Sequence, residues 1–385
     1  MYVSNIYLNN YRNYKKLDLQ LSPGISVFQG ANGQGKSNFL ESIYNLCFGR
    51  PFRNLKESDL VYRDAPYYYL RGSIYLQQRS YKVEVGYEKK KKRKIIKIDG
   101  RIDRSNTFSG RCPIVFFVPE DLELIRRGPE ERRKFLDREI SQISPLYGDY
   151  LSRYKRVIYQ KNRALKQKRL SKETLKNLIK AWNAQIVYFG SRILQTRAHF
   201  ISIWNKFASH NFGLLFENEH QIEISYNNFL RKKPLPEKLS EIESLFGFEI
   251  TAKEDEEYSR GFSLVGPHRD DLSFLIDGYD AKRFASHGQQ RSAIIALKAA
   301  QIQYYHQKNE KPLFILDDIF SELDESRRQQ CFALFSNAEQ ILLSITKKEK
   351  YLDPIFDNFS CSSFFHVNNG IITEIRENGD NRTCY

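Results

Sequence analysis

Three patterns in this 385-residue sequence predict an α/β fold interrupted by an inserted helical arm. A strand-like run, Ile25-Ser26-Val27-Phe28, passes through a glycine-rich stretch straight into helical spacing over residues 37–47. Near the other end, the apolar runs 313–316 and 341–345 flank a helix-like segment 325–335, the alternation that builds a parallel sheet. From about residue 146 to 212 the pattern is helical and basic, with no proline after Pro145.

Taken in order, Val3-Ser4-Asn5-Ile6-Tyr7-Leu8 and Leu17-Asp18-Leu19-Gln20-Leu21 alternate apolar and polar residues and read as the strands of a hairpin. In the first helix, Phe39, Leu40, Ile43, Tyr44 and Cys47 recur at spacings of three and four. Residues 67–102 read as further antiparallel sheet, completing an N-terminal lobe. That sheet is split by Lys89-Lys90-Lys91-Lys92-Arg93-Lys94, either a solvated hairpin tip or a DNA contact. In the arm, Leu151, Tyr154, Ile158 and Leu165 mark one apolar stripe, and Leu178, Trp182, Gln185, Phe189 and Ile193 another. Such stripes belong to a core before they belong to a cofactor. A looser acidic stretch, 237–257, follows. The expected domains are therefore 1–140 and 251–385, the two parts of one domain with a mixed sheet and flanking helices, and 141–250, the inserted arm.

The hydrophobic share of 41% is ordinary for a globular chain, whereas a formal net charge of +15 creates a field that attracts polyanions. Nucleic acid is the expected polyanion rather than a membrane. No apolar run approaches the roughly 18 residues needed to span a bilayer, and the N-terminal residues lack the apolar core of a secretory signal. Cys47, Cys112, Cys331, Cys361 and Cys384 are scattered and odd in number, which suits a reducing cytoplasm and forms neither a disulfide framework nor a metal site.

Gly30-Ala31-Asn32-Gly33-Gln34-Gly35-Lys36-Ser37 matches the phosphate-loop pattern G-x-x-x-x-G-K-[ST]. The glycines let backbone N–H groups turn inward around phosphates, and the following helix offers its positive end. Lys36 is expected at the β- and γ-phosphates of ATP, with the Ser37 hydroxyl on Mg²⁺. Such a loop demands an acidic partner at the end of a buried strand, and Leu313-Phe314-Ile315-Leu316-Asp317-Asp318 supplies one. Asp317 is placed to hold Mg²⁺ and Asp318 to orient or deprotonate the attacking water; a helix cap after a buried strand is the plainer alternative. Some 250 residues separate loop and acidic pair, so something is inserted. Between them, Ser286-His287-Gly288-Gln289-Gln290-Arg291 precedes a stretch of strong helix formers and offers an anion site or an ordinary cap.

Together these three elements resemble the ABC-type ATPases. More narrowly, the chain resembles the RecF family of bacterial recombination mediators, related to chromosome-maintenance proteins. That closer likeness rests on Asn10-Tyr11-Arg12-Asn13-Tyr14, Asn38 to Ile43, Pro119-Glu120-Asp121-Leu122 and Arg132 to Asp137. It also rests on Gly266-Pro267-His268-Arg269-Asp270-Asp271, Ser286 to Arg291, and Leu316-Asp317-Asp318 through Ser321-Glu322-Leu323-Asp324. The resemblance implies an ATP-dependent homodimer in which Ser286, Gly288 and Gln289 of one copy face Lys36, Ser37, Asp317 and Asp318 of the other. It also implies a weak, DNA-stimulated ATPase in repair, replication and the SOS response. Such a protein would bind gapped, single-stranded and duplex DNA and help RecR and RecO load RecA. Candidate DNA contacts are Lys89, Lys90, Lys91, Lys92, Arg93 and Lys94, with Arg153, Lys155 and Arg156 in the arm. Asp318 stands where transporters carry the longer glutamate, which implies slow hydrolysis, and Thr346 falls near their switch histidine. The cluster at 266–271 is open between a packed ionic network and catalysis. The rival readings are the ATP-hydrolysing subunit of a membrane transporter, against which 266–271 stands, and a metabolic kinase, which leaves 286–291 without a purpose.

Overall fold

The computed structural model describes residues 1–53, 55–103, 108, 111–166, 172–232, 234–319, 325–335, 338–346 and 362–375. Chain order begins β1 (Tyr2–Tyr11), β2 (Tyr14–Gln20), β3 (Gly24–Gln29), α1 (Lys36–Phe48), β4 (Tyr67–Leu76), β5 (Arg79–Glu88), β6 (Arg93–Ile98), β7 (Arg101–Ile102) and β8 (Ile114–Phe117). It continues with α2 (Glu123–Arg126), α3 (Pro129–Ile143), α4 (Pro145–Leu165), α5 (Lys172–Leu215), β9 (Ile222–Asn227), α6 (Leu239–Ala252), α7 (Glu254–Arg260), β10 (Asp271–Ile276) and β11 (Tyr279–Asp280). It closes with α8 (Ala281–Phe284), α9 (His287–Gln307), β12 (Leu313–Asp317), α10 (Glu325–Phe335), β13 (Gln340–Ile345), β14 (Ser362–Asn368) and β15 (Ile371–Ile375).

Two compact units result: residues 1–122, 210–219 and 287–385 in the first, 123–209 and 220–286 in the second. The segment 141–250 thus falls in the second unit except for 210–219, together with 123–140 and 251–286.

The first unit holds two sheets. One is antiparallel, in the order β2-β1-β4-β5-β6-β7; the other is mixed, in the order β15-β14-β3-β13-β12-β8. In the second, β14, β3, β13, β12 and β8 are parallel and only β15 runs against them. Strands β8, β12 and β13 are buried at every residue, as in Ile114–Phe117, because both of their faces are covered. The antiparallel strands alternate instead, burying Ile6, Leu8, Leu70 and Val85 on one face only. Helix α1 contacts β1, β4 and β5 of one sheet and β12 and β13 of the other. A helix so placed is enclosed on all sides: every residue of α1 except Ser37 and Asn38 is buried, including the polar Glu41, Ser42 and Asn45. Its Phe39 packs on Phe28 at a centroid distance of 4.6 Å, and Phe28 stacks on Phe365 at 5.0 Å. Each such fully buried side chain stabilises the unit by about 1.5–3 kcal/mol.

The basic run of the first sheet divides. Lys89 to Lys92 form the turn between β5 and β6, whereas Arg93 and Lys94 begin β6. Lys94 is not a tip residue: it is half-buried and ion-paired with Glu57.

In the second unit α4 starts at Pro145, whose fixed φ suits a first helical position, and Ser144 caps it by accepting a hydrogen bond from the Tyr147 N–H. Its expected stripe, Leu151, Tyr154, Ile158 and Leu165, is buried. In α5 the buried line differs from the expected one. Leu178 is 44% exposed and Gln185 is exposed, while Ile179, Ile186, Ile193 and Phe200 are buried. Those four recur every seven residues, the period of a seam between supercoiled helices; the expected stripe shares Ile193 with this seam and otherwise runs along its flank. The acidic stretch is not loose. It forms α6 and α7, with Ile242, Phe246 and Ile250 inward and Glu257 in a fully buried ion pair with Lys161 at 2.6 Å.

Ile186→Ala should therefore cost about 2–5 kcal/mol of stability. Leu178→Ala should stay within about 0.5 kcal/mol. Urea denaturation of the two variants checks the register of α5.

Candidate functional site

The phosphate-loop sequence sits between β3 and α1, held from both sides by residues far away in the chain. On one side Asn13 Nδ2 donates to the Gln34 carbonyl at 3.0 Å, the Tyr14 hydroxyl donates to the Gly35 carbonyl at 3.0 Å, and Asn38 donates to Asn13 Oδ1 at 2.9 Å. On the other, the turn after β14 donates the Gly370 N–H to the Gln34 carbonyl at 3.0 Å and the Asn369 N–H to Gln34 Oε1 at 2.8 Å. Two glycines are required by this crowding. A Cβ on Gly30 would lie 2.3 Å from the Val367 carbonyl oxygen, and Gly35 has φ +119° with Asn13 Nδ2 only 2.5 Å from where a Cβ would stand. Arg12 ties the same hairpin turn to α1 through Glu41 at 2.6 Å, a nearly buried pair.

Lys36 is buried, and its ammonium donates to the Gly30 carbonyl at 2.5 Å and the Ala31 carbonyl at 3.0 Å. Burial lowers its pKa, opposed by the charges of Asp318 and Asp317. β12 delivers those two carboxylates to the same place. Asn32, Gly33, Gly35, Lys36, Ser37 and Asn38 share one cavity of about 220 Å³ with Arg53, Pro119, Asp317 and Asp318. Loop, lysine, serine and acidic pair are thus brought together, as the motifs require. Ser286, Gly288 and Gln289 do not line this cavity. Ser286 is exposed just before α9, and Gly288 and Gln289 lie in its first turn.

Two contributors escape a reading of motifs, and a third ends the 286–291 motif. Ser344 on β13 stands opposite Asp317 in the parallel register; its hydroxyl donates to Asp317 Oδ1 at 2.7 Å and accepts from the Asp318 N–H at 3.0 Å. Its signal was a lone serine inside the apolar run 341–345. Arg53 donates to Glu120 at 3.0 Å and stands 4.0 Å from Asp317 Oδ2; nothing in the sequence around it marks it. Arg291, on the helix that follows Ser286, donates to the Asp318 carbonyl at 3.3 Å. Asp318 itself adopts φ +50°, left-handed backbone that a non-glycine residue rarely takes, and such strain concentrates at functional positions.

The other expected residues lie apart. Arg153 pairs with Asp149 and Lys155 with Asp137, while Arg156 is exposed; all three belong to the second unit. Residues 266–271 form a packed network there. Asp271 takes a two-pronged pair from Arg132 at 2.6 and 2.8 Å. Buried Asp270 accepts from Tyr226 and, at 2.8 Å, from the Phe229 N–H, and Arg197 stands 3.6 Å away. Burial raises the Asp270 pKa to about 6 and lowers that of His268, which hydrogen-bonds Tyr154 at 2.7 Å, to about 4. Of the two options for this cluster, the geometry fits the ionic network. Ser321 to Asp324, Cys361 and Cys384 lie outside the described residues; Cys47, Cys112 and Cys331 are buried, and no disulfide joins Cys47 to Cys112. Among the described residues no helix is long and apolar enough to cross a membrane.

Comparison with known proteins matches residues 2–370 to the RecF/RecN/SMC N-terminal domain. The "DNA replication and repair protein RecF" of Halothermothrix orenii is 32% identical over 98% of this chain and all of its own. That of Lysinibacillus sphaericus is 33% identical over 97% and 99%. A solved structure of the recombination mediator RecF with ATP, in the RecFOR pathway, superposes with a TM-score of 0.85 at 30% identity, covering 97% of this chain and 98% of that one. An Smc head bound to the C-terminal winged-helix domain of ScpA superposes at 0.53 with 16% identity over 97% of both, a likeness of fold alone.

Ser344→Ala removes one acceptor and one donor from a fully buried position. Because one of the lost bonds reaches a carboxylate, the variant should lose about 1.5–3 kcal/mol, read by thermal or urea unfolding. Ser344→Thr, which keeps the hydroxyl, should recover most of it.

Proposed function

We propose, on the premise that this chain belongs to the RecF/RecN/SMC N-terminal domain family and within it to the RecF proteins of DNA replication and repair, that it is an ATP-gated DNA-binding dimer. The observation that carries this reading is the convergence of Lys36, Ser37, Asp317 and Asp318 on one cavity beside a phosphate-loop backbone. The backbone N–H groups of 31–35 and the positive end of α1 cradle the phosphates of ATP. Lys36 exchanges its loop carbonyls for the β- and γ-phosphate oxygens. Arg53 adds a second positive charge to the wall of the cavity.

Ser37 and Asp317 fit Mg²⁺, which takes one or two carboxylates, a hydroxyl and substrate phosphates; Ser344 orients the Asp317 carboxylate for it. When bound there, Mg²⁺ would supply positive charge that stabilises the phosphates. Asp318 accepts the proton of the attacking water as the γ-phosphoryl leaves ADP for water oxygen. Its short side chain, with Thr346 where a switch histidine stands in transporters, makes that step slow. DNA stimulates this slow turnover.

Ser286, Gly288 and Gln289 of a second copy close over the γ-phosphate, so ATP holds the dimer together and hydrolysis releases it. The net charge of +15 supports DNA as the partner, in gapped, single-stranded and duplex forms. Lys89 to Arg93, Arg153, Lys155 and Arg156 are its proposed contacts. The structural relatives are RecF proteins of the RecFOR pathway, which supports RecR as partner and RecA loading with RecO as the outcome, in the cytoplasm. A transporter subunit is not favoured by any of these relatives.

Lys36→Ala should weaken binding of a fluorescent ATP analogue at least roughly tenfold, since it removes charge-assisted bonds to phosphate. Unchanged affinity and turnover would sink the phosphate-loop assignment. Ser286→Arg should keep ATP binding but abolish the ATP-dependent rise in mass seen by light scattering; a variant that still dimerises argues against a shared site.

A further inference from the structure

The antiparallel sheet of the first unit has a second face, turned away from α1, that the ATP site does not use. Strand register lines its residues up in two rows. Asn9, Tyr69, Gly86 and Ile95 stand side by side across β1, β4, β5 and β6, and next to them run Tyr7, Arg71, Glu84 and Lys97. Gly86 has no side chain, so the centre of the first row is a hollow between Tyr69 and Ile95. The hollow opens into a trough of about 1060 Å³ lined only by this sheet and its rim. That volume is at the upper end for a ligand site.

Its walls are aromatic and its rim is basic. Tyr7 and Tyr69 meet edge to face at 6.3 Å, and Tyr67 is 43% exposed at the mouth. The guanidinium of Arg71 lies 5.2 Å from the Tyr7 ring centre. Arg71, Lys91, Arg93 and Lys97 border the trough against two carboxylates, Glu84 and Glu88. Glu84 accepts the Tyr69 hydroxyl at 3.0 Å and Glu88 pairs with Lys91 at 3.0 Å. Tyrosine is common on strands for its shape alone. A hollow floored by glycine, walled by ring faces and rimmed by surplus cations is a more specific arrangement. It suits a chain that is anionic along its backbone and carries flat π systems, the chemistry of single-stranded nucleic acid. A base within a duplex is already stacked on both faces and cannot enter.

We propose that this trough seats one or two unstacked bases of single-stranded DNA against Tyr69 and Tyr67, with Arg71, Arg93 and Lys97 on the adjoining phosphates. The proposal rests on the DNA-binding reading above and deepens it: the strand is recognised by its bases as well as its charge, at a place separate from the ATP cavity.

The test uses the full-length protein and three probes of equal length: oligo-dT carrying 2-aminopurine, the same backbone without bases, and a duplex. Stacking should quench 2-aminopurine, and the oligonucleotide should bind about tenfold or more tighter than the abasic backbone. Gly86→Leu fills the hollow without altering charge; the nearest atoms to a Cβ there are 3.7 Å and 3.8 Å away, ordinary contacts. That variant, and independently Tyr67→Ala at the exposed mouth, should abolish the preference for bases while leaving duplex and ATP affinity unchanged. Equal affinity for the abasic backbone, or a preference that survives Gly86→Leu, overturns the proposal alone if duplex binding is intact. Failure of every DNA to bind overturns the DNA reading with it. A polyglutamate peptide that binds as tightly as the oligonucleotide makes the trough a general polyanion surface and also overturns the proposal.

Discussion

Everything in the first unit depends on how the backbone of residues 30–35 is gripped. A phosphate loop must expose its N–H groups and so cannot satisfy them internally. Its shape therefore has to be imposed from outside. Here the Asn13 side chain and the Asn369-Gly370 turn supply hydrogen bonds to Gln34, while Gly30 presses against Val367. The grip in turn fixes the start of α1, and α1 is the element against which both sheets pack. Local chemistry and global packing share a single anchor.

The acidic side of the cavity follows a similar logic in the parallel sheet. Asp317 ends β12 where the sheet is covered on both faces, so a carboxylate there needs partners. Ser344, one strand over and in register, provides them for Asp317 and for the Asp318 backbone at once. Arg291 adds a bond to the Asp318 carbonyl from α9. Asp318 thus holds an unfavourable φ because its N–H and C=O are both engaged.

Much of this was legible in the sequence, for an identifiable reason. The phosphate loop occupies eight consecutive residues whose types are dictated by contact with phosphate, and the apolar run before Asp317 is dictated by burial on two faces. The α/β alternation, the antiparallel lobe and the helical arm each have a periodicity that short windows capture. What stayed hidden depends on distance along the chain. Asn13 and Asn369 meet the loop from opposite ends of the chain, and Arg53 reaches the cavity from a segment without a motif. In α5 the expected stripe meets the seam at Ile193 but otherwise runs one position beside it, through Leu178 and Gln185. The helices α6 and α7 were obscured by their charge, although Ile242, Phe246 and Ile250 kept four-residue spacing. The 266–271 cluster could be identified but not interpreted until Arg132, Arg197 and Tyr226, supplied by other elements, were seen around it.

The grip on Gln34 also has a consequence for the order in which the molecule is made. Residues 30–37 leave the ribosome early, whereas Asn369 and Gly370 follow about 335 positions later. At roughly 5–20 residues per second, that interval is on the order of tens of seconds. Throughout it the nascent chain carries the complete phosphate-binding sequence without half of what shapes it. The final shape of residues 30–35 therefore waits for β14 and the turn that follows it.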